Sequence, residues 1–112
     1  MSENKETDQL LGMTAQWTAA VRARESKRED CLFVDPWAAL LVGETGATWI
    51  ESRSDDCILP IILRTRFFDD FLQRISIQFS INQIVLMAAG LDTRAFRLTW
   101  SQLTHLFELD RP

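Results

Sequence analysis

Residues 83–89, Gln-Ile-Val-Leu-Met-Ala-Ala, form an unbroken run of strand length that is apolar after its first residue and stops at Gly90. Without polar alternation the run has no wet side, so it reads as a strand buried on both faces of a parallel sheet. Such a sheet needs helices against it, which puts the chain among α/β folds. A second strand candidate, Thr104 to Asp110, follows a loop that carries Phe96, Leu98 and Trp100. The 112 residues leave room for one domain.

The residues before this unit read as helices. Residues 1–9 are polar, show no apolar period and are expected to be a flexible terminus. From Leu10, apolar positions recur at steps of three and four through Met13, Trp17 and Val21, which is helix spacing. The mixed-charge stretch Arg22 to Asp30 reads as a solvated helix end and loop. Asp35-Pro36 has the chemistry of an N-cap followed by a first-turn proline, and opens a short, mostly buried helix that Gly43 can close. Residues 46–56 read as a polar connection with a partial helix at Trp49-Ile50. Pro60 then opens a long amphipathic helix over 61–79, its phenylalanines facing the core and Asp69, Asp70, Gln73 and Arg74 on the wetter side.

Composition narrows the function. Twelve basic against sixteen acidic residues give a net charge of −4, opposite to the basic balance of a nucleic-acid binder. No membrane span or signal peptide is visible. Cys31 and Cys57 lack metal-ligand spacing and read as reduced thiols filling small apolar sites in a cytoplasmic protein. His105, the only histidine, reads as a strand residue and not as a general base.

Asp110 lies 20 positions after Gly90. In nucleotide-binding α/β folds, a glycine after the first strand lets backbone and ligand approach closely. An acid about 20 residues on accepts hydrogen bonds from ribose hydroxyls. A tight turn at Gly90 with a solvated Asp110 accounts for the spacing equally well. Residues 88–93 read Ala-Ala-Gly-Leu-Asp-Thr, without the glycine triplet that cradles a pyrophosphate, which weakens a dinucleotide oxidoreductase reading. A nucleoside without pyrophosphate, such as S-adenosyl-L-methionine, fits better.

Five blocks occur in order: Thr18 to Ser26, Leu32 to Pro36, Arg64 to Asp70, Ala89 to Arg97, and Phe107 to Pro112. Together they resemble the leucine carboxyl methyltransferase family, in particular its bacterial S-adenosylmethionine-dependent O-methyltransferases. The resemblance implies N-terminal helices followed by the first strands of a Rossmann-like class I methyltransferase sheet, so that residues 10–112 are the N-terminal portion of a longer domain, truncated. It implies S-adenosyl-L-methionine as cofactor, with Ala88 and Gly90 lining its methionyl side and Asp110 on the ribose. Arg64 would pair with the cofactor carboxylate, and Arg24 would stand near it. Several members carry glycine where this chain has Ala88. Asp92 and Arg94 are assigned to shaping the loop.

The resemblance further implies O-methyl transfer to a carboxylate or hydroxyl of a small molecule, with no nucleic acid or membrane as partner. Catalytic residues are not identifiable, and the chain alone is expected to be inactive. Two other readings stay open: one part of a split enzyme that meets a complementing C-terminal chain, or a non-catalytic remnant that binds the cofactor.

Overall fold

A computed structural model describes residues 2–111; Met1 and Pro112, which the sequence reading includes, lie outside them. In chain order the elements are α1 (Ser2–Ser26), α2 (Ala38–Leu41), α3 (Gly43–Ser52), α4 (Asp55–Ile77), β1 (Gln83–Met87), α5 (Arg94–Arg97) and β2 (His105–Leu109). None of the helices is long and apolar enough to cross a membrane.

Helix α1 begins at Ser2 and not at Leu10, because the polar lead-in is rich in Glu, Lys and Gln, which extend a helix without needing an apolar face. The helix packs on α2, α3 and α4. Its buried apolar residues are small: Ala19, Ala20, Val21 and Ala23 are all enclosed. The core gathers Val21, Phe33, Ile58 and Ile62, with Trp17, Ile50 and Ile61 against it.

The stretch after Val21 corrects the expectation of a solvated end. Arg22 and Glu25 are buried, Glu25 accepting from the Leu32 amide at 3.0 Å and from Arg28 at 3.1 Å. Asp35 does cap the next turn, its Oδ1 accepting from the amides of Trp37 (3.0 Å) and Ala38 (3.1 Å). Gly43 takes φ +65°, the left-handed conformation suited to a helix end. Helix α2 is not mostly buried, however; Ala38 is enclosed while Trp37 and Leu40 are exposed. The expected partial helix around Trp49 is the full helix α3.

Helix α4 begins at Asp55, with the extended Ser54 before it and two acids in its first turn, which complement the helix dipole. Pro60 therefore lies inside the helix. Its missing N–H leaves the Asp56 carbonyl without its helical donor, and both residues are exposed. The expected orientation of α4 is reversed at two places. Asp69 is buried, whereas Phe67, Phe68 and Phe71 are exposed, as is Phe79 just beyond the helix end. Asp69 is buried by the ion pairs it makes with α5, while the apolar burial of α4 runs through Ile58, Ile62 and Leu72.

Strands β1 and β2 pair in parallel, with Gln83 opposite His105 and Met87 opposite Leu109. The turn from β1 leads through α5 to β2, giving an α/β unit with a two-stranded sheet. The strand reading holds, but burial on both faces does not. Ile84 is buried, while Val85 and Met87, with Phe107 and Leu109 opposite them, form an open apolar face. Among the described residues, no element covers that side. Cys31 is partly buried and Cys57 is exposed, so the latter does not fill an apolar site.

Candidate functional site

Parallel pairing brings the C-terminal ends of both strands side by side, and the chain turns away from each end at residues 88–93 and 110–111. The first turn is tight. Asp92 N–H donates to the Ala89 carbonyl at 2.9 Å, and Ala89 N–H extends the ladder to the Leu109 carbonyl at 3.1 Å. Two residues in the turn are left-handed, Ala88 at φ +51° and Gly90 at φ +53°. A side chain at Gly90 would place Cβ 3.5 Å from Ala15 Cβ and 3.8 Å from Asp110 Oδ2, filling the space between α1 and the carboxylate.

Gly90 N–H donates to Asp110 Oδ2 at 2.5 Å, and Arg111 N–H donates to Asp110 Oδ1 at 2.7 Å. The carboxylate is thereby fixed with one backbone donor on each oxygen, leaving lone pairs on both for further donors. The Arg111 amide, followed by the Gly90 amide, holds its pKa below the ordinary aspartate value, so it is an acceptor at neutral pH.

Arg64, Ala88, Gly90 and Asp110 line one cavity of about 440 Å³ between α1, α4 and the strand ends. This lies within the roughly 300–1,000 Å³ typical of small-molecule pockets. No carboxylate among the described residues pairs with Arg64. Arg66, two positions on, is instead committed to Asp70 at 2.8 Å and to the Leu32 carbonyl at 2.6 Å. The cavity lining thus includes an arginine that no carboxylate among the described residues pairs with, and Asp110, a carboxylate oriented by two backbone amides.

Arg24 is not brought to this cavity. It lies at a separate surface depression and reaches Asp55 at 3.8 Å. Arg22 lines the cavity instead, donating to the Leu91 carbonyl at 2.6 Å and to Asp35 Oδ2 at 2.9 Å. Two helical steps rotate a side chain by about 200°, so Arg22 and Arg24 cannot share a face. The stripe Ala15, Thr18, Arg22 carries the helical spacing that identifies the cavity side of α1. His105 is exposed on β2 and does not line the cavity.

Behind the turn lies a cluster of three arginines and three aspartates. Asp69 on α4 accepts from Arg94 Nε at 2.8 Å and from Arg97 at 2.8 and 3.0 Å. Arg94 also closes on Asp92, through its side chain at 2.5 Å and its amide at 2.8 Å, which shapes the loop. Asp35, fully enclosed, takes Arg22 and Thr93 on Oδ2. Burial pushes the Asp35 carboxyl up, but the bonds from Thr93, Arg22 and the Trp37 amide outweigh it and hold its pKa below the usual value.

Ala88 carries a cost that glycine would not. A left-handed residue with a Cβ is destabilised by about 1–2 kcal/mol, and the extra freedom glycine adds to the unfolded chain offsets about 0.4–1 kcal/mol of any relief. Ala88→Gly is therefore expected to raise stability by roughly 0.5–1 kcal/mol on balance. Thermal unfolding monitored by circular dichroism checks this; a lower melting temperature would show that the methyl group makes contacts worth more than the strain.

A family model described as leucine carboxyl methyltransferase matches residues 15–112. A protein of Saccharopolyspora erythraea is 39% identical over 127 aligned residues, covering 100% of this chain and 42% of the relative. A protein of Frankia alni is 44% identical over 118, covering 99% and 42%. One of Streptomyces coelicolor is 41% identical over 110, covering 88% and 38%. All three bear names that assign them, by inference, as S-adenosyl-L-methionine-dependent methyltransferases. The chain thus spans about two fifths of the length of these relatives.

Proposed function

The chain belongs to the leucine carboxyl methyltransferase family, and we propose that its cavity binds S-adenosyl-L-methionine for O-methyl transfer to a carboxylate or hydroxyl of a small molecule in the cytoplasm. The observation that carries this reading is the Gly90–Asp110 contact beside Arg64 in one cavity. Asp110 has an acceptor on each side for the two hydroxyls of a ribose, whose matching separation suits a carboxylate. Gly90 keeps the space next to it free of side-chain bulk. Arg64 offers a planar fork to the cofactor's carboxylate. When bound, the cofactor supplies a methyl group activated by a sulfonium leaving group. The protein's part is to bind and orient, which can supply much of the acceleration.

The open face of the sheet supports a second element of the reading. Parallel strands are found almost only with both faces covered. Val85, Met87, Phe107 and Leu109 would be buried if the two strands belonged to a larger Rossmann-like sheet completed by a C-terminal segment or a complementing chain. The names of the longer relatives agree with methyl transfer.

Calorimetric titration with S-adenosylhomocysteine tests the proposal. Saturable binding is expected, weakened about ten- to a hundredfold by Asp110→Asn through loss of charge-assisted hydrogen bonds. Arg64→Ala is expected to weaken it as well, with circular dichroism confirming that α4 is intact. Equal affinity in Asp110→Asn removes the carboxylate from the sugar, and no binding by the folded chain overturns the reading.

A further inference from the structure

Thr93 and Leu91 lie in the turn that presents Gly90 to Asp110, and each is held by a side-chain contact traceable to one residue far away in sequence. Asp35 Oδ2 accepts the Thr93 hydroxyl at 2.6 Å, across 58 positions. The same oxygen accepts Arg22 Nε at 2.9 Å, and that guanidinium donates through its other arm to the Leu91 carbonyl at 2.6 Å. We infer that Asp35 is the positioning residue of the turn, fixing residues 91 and 93 so that the Gly90 N–H is aimed at Asp110. This rests, for its consequence on binding, on the reading of the cavity as a cofactor site.

The hydrogen-bond inventory makes the role specific to a carboxylate. Asp35 Oδ1 takes the amides of Trp37 and Ala38, and Oδ2 takes Arg22 and Thr93, so each oxygen accepts two donors. An ionised carboxyl has about four acceptor sites, and all four are used. In asparagine one of the two oxygens becomes an NH₂, which would face two donors whichever way the amide is turned. Thr93 is equally committed: its hydroxyl accepts from Arg97 Nε at 3.1 Å while donating to Asp35. Both residues are buried, so water cannot substitute freely for a lost partner. Asp35 does not line the cavity; it acts through Arg22 and Thr93.

The test uses the full chain and three variants: Thr93→Val, which keeps the shape and removes the hydroxyl, Thr93→Ser, which restores it, and Asp35→Asn. Amide hydrogen exchange is read without ligand at residues 89–93, with amides of α4 around Ile62 and Leu72 as references. Thr93→Val is expected to speed exchange of the turn about tenfold or more while the reference amides stay unchanged, and Thr93→Ser to return it to the native rate. S-adenosylhomocysteine affinity is expected to fall about tenfold in Thr93→Val, where the hydroxyl's bonds to Asp35 and from Arg97 are both lost, and to recover in Thr93→Ser, which restores them. Should Asp35→Asn unfold, the threonine pair still decides the matter. Unchanged exchange in Thr93→Val, or a serine variant as impaired as valine, overturns the inference. So does faster exchange with undiminished affinity. If the native chain binds no S-adenosylhomocysteine while exchange responds as expected, the positioning role stands and the cofactor reading is what fails.

Discussion

Asp69→Ala is expected to cost the folded state about 3–5 kcal/mol, the range for removing one partner of a buried ion pair. The physical reason is what it leaves behind. Arg97, with a side chain only 6% exposed, loses both of its shortest contacts, and Arg94 loses its Nε acceptor. Two guanidinium groups, both from α5, would then share the space that Asp69 of α4 had filled, with Asp92 and Asp35 as the remaining nearby anions. Against a total stability of about 5–15 kcal/mol for an ordinary domain, such a loss would leave little margin. Urea unfolding followed by tryptophan fluorescence gives the number. A change below about 1 kcal/mol, the level of an exposed pair, would mean that solvent reaches the cluster freely.

Gly46→Ala is expected to destabilise by about 2–3 kcal/mol, although propensity alone argues the other way. Gly46 is a buried residue within α3, where alanine is favoured over glycine by about 1 kcal/mol. A Cβ there would lie 2.5 Å from the Gln16 carbonyl oxygen and 2.9 Å from its carbon, with Val42 Cγ1 at 3.2 Å. Backbone on α1 cannot rotate aside as a side chain can, so α1 and α3 must separate. That separation opens the packing of the long helix on its neighbours. Paired chemical denaturation of the two proteins checks the sign, and a stabilised Gly46→Ala would show that α1 shifts at little cost.

Much of the site was legible from short-range pattern. An apolar run broken by glycine, and an acid 20 positions on, led to the strand–turn–strand unit with both residues at the strand ends, while the hydrogen bond from Gly90 to Asp110 at 2.5 Å came from the structure. The aspartate before Pro36 was legible as a cap because capping involves residues only two and three positions ahead. Helix boundaries were less so. Pro60 suggested a start, yet Asp55 and Asp56 carried the helix back through it, since their acidic first turn suits the dipole.

The orientation of charged helix faces could not be read. Asp69 beside Asp70 looks like solvated surface, and its burial depends on Arg94 and Arg97, which lie 25 and 28 positions later. The same holds for Arg22 against Arg24: the sequence offers two cations, and only the packing of α1 decides which one turns to the cavity. The phenylalanines of α4 show the converse, since apolar character alone does not bury a face to which no neighbour comes.

By itself, then, the amino-acid order determined where the two strands and the turn at Gly90 form and where Asp35 caps a helix. Those properties depend on the dihedral preferences and hydrogen bonds of residues close along the chain. The tertiary structure alone decided that Asp35 reaches Thr93, that Asp69 is enclosed and that Arg22 faces the cavity. Each of these is a contact between distant segments, and its energy exists only once those segments have excluded water from between them.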